Sequence, residues 1–104
     1  NLKELFDFVQ SLPVGEPLIL GGDFNMERSI IQPYKPRNLH FAGEFNHDKT
    51  YHEFRGGEGI AQIDHLLHSD VEEVNFQIDQ RPFLNRQLSD HYPVIGEFQI
   101  YANA

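Results

Sequence analysis

Pro17-Leu18-Ile19-Leu20-Gly21-Gly22-Asp23-Phe24-Asn25 is the stretch that decides how this chain is read. A short apolar run bounded by Pro and Gly predicts a strand buried on both faces. The polarity changes abruptly at Asp23, and Asp23 to Met26 form the loop that leaves the strand. The carboxyl end of a strand is where ligands of mixed α and β folds tend to sit. A carboxylate there can orient and deprotonate a water, and the Asn25 amide two residues on can donate to a phosphate oxygen. Gly-Asp and Asn also suit an ordinary turn, so the stretch alone does not separate a site from a bend.

Working outward, Leu2, Leu5, Phe6 and Val9 repeat at the spacing of one apolar helix face. Asn1 is its expected N-cap and Pro13 its stop. Residues 27–49 contain Pro33, Pro36, Asn38, Gly43 and Asn46, which predicts mostly loop with one helical turn near Glu27 to Ile31. Thr50 to Phe54 reads as a short strand, followed by a Gly56-Gly57-Glu58-Gly59 turn. Ile60 to Leu67 is the next strand, with Gln62, Asp64 and Leu66 on one face and Ile63, His65 and Leu67 on the other. Val74, Phe76 and Ile78 alternate with Glu73, Asn75 and Gln77 in a half-exposed strand. Pro82 to Leu88 is a loop, and Val94 to Tyr101 is the last strand. One helix followed by several strands predicts an α+β domain, a sheet covered by a helix on one face.

The whole chain is 104 residues, enough for one small domain. It has no Cys, hence no disulfide framework and no thiolate metal site. No apolar run reaches the roughly 20 residues of a transmembrane helix, and no secretory core is visible. The chain opens on Asn1 rather than Met and is expected to begin inside a longer protein. A soluble protein is expected, the cytoplasm being the weakly favoured compartment. Net charge is −8, and the eight Lys and Arg residues are scattered. A nucleic-acid binder needs a basic footprint, so a polynucleotide substrate is disfavoured unless a basic surface lies elsewhere.

Two more polar clusters stand at strand ends. Asp64 interrupts an apolar strand and needs a partner if buried, an imidazole being a natural one; it suits solvent equally if the strand is an edge. Asp90 and His91 precede the final strand. His91 can bond a phosphoryl oxygen and Asp90 can bind a hard cation, while a strand cap with a surface His fits the same residues. His40, His47, Asp48 and His52 carry metal-type side chains at no usual zinc spacing. Glu58, Glu72 and Glu73 read as solvated charge.

Taken in order, Leu18 to Asn25, Thr50-Tyr51-His52-Glu53-Phe54, Gln62-Ile63-Asp64-His65-Leu66-Leu67 and Ser89-Asp90-His91-Tyr92-Pro93-Val94 resemble the carboxy-terminal half of the endonuclease/exonuclease/phosphatase superfamily, the deoxyribonuclease-I-like fold. The Thr-Tyr-His-x-Phe element is most similar to bacterial members of the phosphatase and phosphodiesterase type. The resemblance spans nearly the whole chain. It implies half of a four-layer α/β/β/α sandwich, one mixed and largely antiparallel sheet with its covering helix. It implies a phosphoric ester hydrolase using Mg2+, or Mn2+, with in-line attack by water. It also implies roles. Asp23 orients or activates the water and Asn25 stabilises the transition state. Asp64 pairs with His91, His91 contacts the scissile phosphate, and Asp90 assists at the metal.

The family's amino-terminal half normally supplies an Asn, a Gln-Glu pair whose Glu is the main metal ligand, and another His. None of these can be placed here. The expected partners are therefore that amino-terminal half and a phosphoester. The chain would be a fragment, a proteolytic piece or a natural half-protein, and by itself inactive. Its sheet would expose an apolar face, making the isolated chain unstable or oligomeric. Two alternatives stand beside the hydrolase: a non-catalytic binding module with the same fold, and a nuclease if the other half is basic. The loop from Glu27 to Lys49 is the expected seat of specificity.

Overall fold

A computed structural model describes residues 1–82 and 88–101. The helix over Leu2–Gln10 (α1) starts where the sequence predicts. The Asn1 side chain accepts a hydrogen bond from the Glu4 amide at 2.9 Å, which caps the first turn. The strand Leu18–Asp23 (β1) follows, then a single helical turn Arg28–Ile31 (α2) that tightens into a 3-10 turn over Gln32–Tyr34. A two-residue strand, His40–Phe41 (β2), precedes Asp64–Ser69 (β3), Val71–Ile78 (β4) and Val94–Ile100 (β5).

The architecture is α+β, with two antiparallel sheets in place of the single mixed sheet expected. The first has the order β1-β3-β2, and the second pairs β4 with β5. The reason lies at Asp70, which stands between β3 and β4 with φ of 57°. That left-handed step turns the chain out of the first sheet within one residue. The β5 strand then returns against β3. Gly96 lets it approach: a Cβ there would stand 2.9 Å from Leu66 Cδ1.

Alternation along β1 and β3 sorts their side chains between two environments. Phe6, Ile31, Leu39 and Leu67 form the buried core, with Leu2, Leu5, Val9, Leu18 and Leu20 packed against it. The helical stripe thus covers the Leu18, Leu20 and Leu67 face. Ile19 points the other way and is 50 % exposed, so β1 is buried on one face and not on both. Asp23, Asp64 and Leu66 share that second face with Ile19.

Four local predictions change. Thr50 to Phe54 is not a strand: it forms isolated bridges through Tyr51 alone, and positive φ at Glu53 and Phe54 ends the extension. The strand expected from Ile60 begins at Asp64. In β4 the register slips between Glu73 and Asn75, so Val74 is squeezed outward and stands 52 % exposed. Val71 and Glu73 therefore share the inner face with Phe76 and Ile78. Glu73 is not a solvated charge: it bonds His68 Nε2 at 3.0 Å and accepts the Gly43 amide at 2.9 Å. Most of the loop predicted from Pro82 to Leu88 lies outside the described residues. Among the described residues no helix is long and apolar enough to cross a membrane.

Candidate functional site

The pairing of β1 with β3 sets Asp23 directly opposite Asp64. Residues opposed in an antiparallel pair project to the same side, so the register alone puts two carboxylates next to each other. Like charges at that spacing repel, and the chain supplies an imidazole donor from the segment before β5. His91 Nδ1 donates to Asp64 Oδ2 at 2.6 Å. Its Nε2 lies 3.8 Å from Asp23 Oδ2 and 3.9 Å from Asp90 Oδ1. The hydrogen bond to Asp64 raises the imidazole above its ordinary pKa. Burial opposes the rise, and the charges of Asp64, Asp23 and Asp90 add to it.

Asp23 is held from its own turn. Its Oδ1 accepts the Asn25 amide at 2.8 Å, with Asn25 in the left-handed region at φ 54°. Asn favours such a turn because its short side chain tolerates that conformation. One Asp23 oxygen is thereby occupied and the other faces His91. The structure thus draws Asp23, Asp64, Asp90 and His91 together, with the Asn25 backbone bonded to Asp23. Tyr51 flanks the imidazole, its ring centre 5.1 Å from that of His91.

An open cleft of about 220 Å³ runs along this face, lined by Gly21, Gly22, Asp23, Asp64, Leu66 and Val94. A larger hollow of about 300 Å³ lies beyond the end of α1, among Val9, Leu12, Pro13 and Leu18, away from the acid-imidazole cluster. The smaller cleft is the candidate because Asp23 and Asp64, the paired carboxylates of the cluster, line it.

Asp23, Asp64 and His91 each bring a ligand atom within 4.8 Å of the others, the one such group among the described residues. His91 Nδ1 occupies Asp64 Oδ2, while Asp23 Oδ2 and Asp90 Oδ1 stand 3.8 and 3.9 Å from its Nε2, so carboxylate oxygens of all three residues could face a cation. A hard divalent ion such as Mg2+ fits two carboxylates when water or substrate oxygens complete its shell. Three carboxylates around one imidazole also favour a cation on electrostatic grounds. His40, His47, Asp48 and His52 do not gather. His40 lies beside His68, and His52 stacks on Tyr92 with ring centres 4.2 Å apart.

Two residues of the Thr50-Tyr51-His52-Glu53-Phe54 motif stand beside the site in roles their sequence did not specify. Thr50 is fully buried, and its Oγ1 accepts the amides of Ile63 and Asp64 at 3.0 and 3.1 Å. His52 is 1 % exposed, and its backbone amide donates to the Asp90 carbonyl at 2.8 Å. A buried Thr inside a polar stretch looks like any strand Thr until its partners are known. Comparison with protein-family models, curated proteins and solved structures returned no match.

Proposed function

We propose that this chain is the carboxy-terminal part of the catalytic domain of a metal-dependent phosphoric ester hydrolase of the endonuclease/exonuclease/phosphatase type. The observation that supports it most is the meeting of Asp23, Asp64, Asp90 and His91 at the ends of β1, β3 and β5. Asp64 Oδ2 accepts a hydrogen bond from His91 Nδ1, which fixes the tautomer and leaves Nε2 on the side of Asp23 and Asp90. A protonated Nε2 there donates to a phosphoryl oxygen, and the raised pKa keeps that proton in place over a wider pH range. Asp23 Oδ2 orients the attacking water and accepts its proton, while Asn25 donates to the phosphoryl group. Asp90 would assist in holding the divalent cation. That cation supplies neutralisation of phosphate charge.

The remaining metal ligand belongs to an amino-terminal half in this reading. A small phosphodiester suits the site better than a polynucleotide, because acidic groups crowd the cleft and the chain carries −8. The test is hydrolysis of bis(p-nitrophenyl) phosphate by the intact protein with Mg2+. Asp23→Ala or His91→Ala should each lower kcat by about 100-fold or more, the range of a lost general base or phosphate donor. Turnover that survives both substitutions at the wild-type rate would sink the assignment.

A further inference from the structure

Asp64 and His91 are far apart in the chain, one at the start of β3 and the other in the segment before β5, yet their hydrogen bond is 2.6 Å. One three-residue segment touches both. The Thr50 hydroxyl accepts the amides of Ile63 and Asp64, and completes its bonding on the Ala61 carbonyl at 3.5 Å. It occupies the edge of β3 where no strand continues the ladder, because β2 reaches only as far as Leu67. The same segment grips the other partner by its backbone. Tyr92 N donates to Thr50 O at 2.6 Å, and His52 N donates to Asp90 O at 2.8 Å. These two bonds fall on either side of His91. The grip is braced from behind: the buried His52 ring stacks on Tyr92, and the Tyr92 hydroxyl donates to the Gly57 carbonyl at 2.6 Å.

His52 Nδ1 accepts the Gly56 amide at 3.3 Å, while its Nε2 is buried without a partner. Its ring therefore serves as packing and as an acceptor for its own loop. The hydroxyl of Thr50 is the one side-chain atom that reaches the backbone of a site residue from this segment. We propose that Thr50 is a positioning residue of the candidate site, its hydroxyl setting the distance between Asp64 and His91 without touching substrate.

The proposal deepens the phosphoester reading, but two of its readouts do not depend on that reading. Thr50→Val keeps the shape and removes the acceptor, leaving two amides without a partner. In the intact protein at fixed pH, hydrogen exchange at Ile63 and Asp64 should quicken by about tenfold or more while Leu67 and His68 keep their protection. The deshielded His91 Nδ1 proton should move upfield or vanish from the NMR spectrum. With bis(p-nitrophenyl) phosphate and Mg2+, kcat should fall by about tenfold to 100-fold at unchanged KM. Thr50→Ser restores the hydroxyl and should recover all three within about threefold. His52→Phe keeps the stack on Tyr92 and should leave Ile63 and Asp64 exchange near wild type, which separates loss of the hydroxyl from a loosened loop.

Unchanged exchange and an unchanged proton in Thr50→Val overturn the proposal. So does a Thr50→Ser variant as defective as Thr50→Val, or a His52→Phe variant that matches it. If Thr50→Val does not fold, Thr50→Ser decides: wild-type exchange at Ile63 and Asp64 supports the role and tenfold faster exchange refutes it. If the wild-type protein hydrolyses nothing, the phosphoester reading fails, and exchange and the proton alone judge Thr50.

Discussion

Replacing Asp64 by Asn should destabilise the fold much more at pH 5 than at pH 9. At pH 5 the wild-type imidazole of His91 is protonated and bonds the Asp64 carboxylate. A hydrogen bond to a charged group contributes about 1.5–3 kcal/mol. Water reaches 26 % of the His91 side chain and 17 % of that of Asp64, so the lower part of the range applies, about 1.5–2 kcal/mol. The folded-state pKa of His91 lies above its ordinary value of 6.5. The stability it contributes is therefore fully present below 6.5 and is lost as pH rises through the raised value. At pH 9 the neutral ring still donates from Nδ1, but without the ion pair. The neutral amide would also relieve repulsion from Asp23, which faces position 64 across the ladder. The expected loss there is below about 0.5 kcal/mol. Urea unfolding of wild type and Asp64→Asn at both pH values and constant salt measures the difference, with equal m-values as the control. A loss equal at the two pH values, or larger at pH 9, would refute the idea that Asp64 holds a charged imidazole.

Other outcomes follow from single contacts. Leu67→Ala empties the centre of the core, where Leu67 is fully buried, and should cost about 2–5 kcal/mol in urea or thermal unfolding. Gly43→Ala should destabilise by more than about 1 kcal/mol, since φ there is +63° and a Cβ would collide with the Phe76 ring. Glu73→Gln should cost about 1–2 kcal/mol through its bonds to His68 and the Gly43 amide, whereas Glu72→Gln on the outer face should leave the unfolding midpoint within about 0.5 kcal/mol. Removal of divalent cations with a chelator should abolish phosphodiester hydrolysis, and Mg2+ should restore it; activity that persists without metal contradicts the metal role proposed for Asp90.

Local order was legible wherever the signal was local. The stripe Leu2, Leu5, Phe6 and Val9 with Asn1 before it encodes a capped amphipathic helix in adjacent residues, and α1 is that helix. The alternation of Asp64 against His65 likewise fixed which side chains share a face of β3. Val74 departs from the alternation because a bulge depends on how β5 pairs with β4, and alternation within one strand carries no record of its partner. Glu73 was misread for the same cause, its partners being the Gly43 amide and His68. Thr50 to Phe54 has the composition of a strand, yet left-handed turns at Glu53 and Phe54 shape it into a brace.

At the candidate site the division is similar. By itself the sequence determined the α+β class, the position of Asp23 at the end of an apolar strand, and the presence of an acid-imidazole pair before the last one. The resemblance added an expected order of roles. Only the tertiary structure decided that Asp23 stands across from Asp64, that Asp64 accepts a hydrogen bond from His91 Nδ1, and that buried Thr50 bonds the Asp64 amide through its hydroxyl and the Tyr92 amide through its carbonyl. Strand register and a crossing between two sheets are long-range facts. They follow from burying Leu18, Leu20 and Leu67 under α1 while turning the polar partners outward, a balance settled over the whole chain rather than within any one segment.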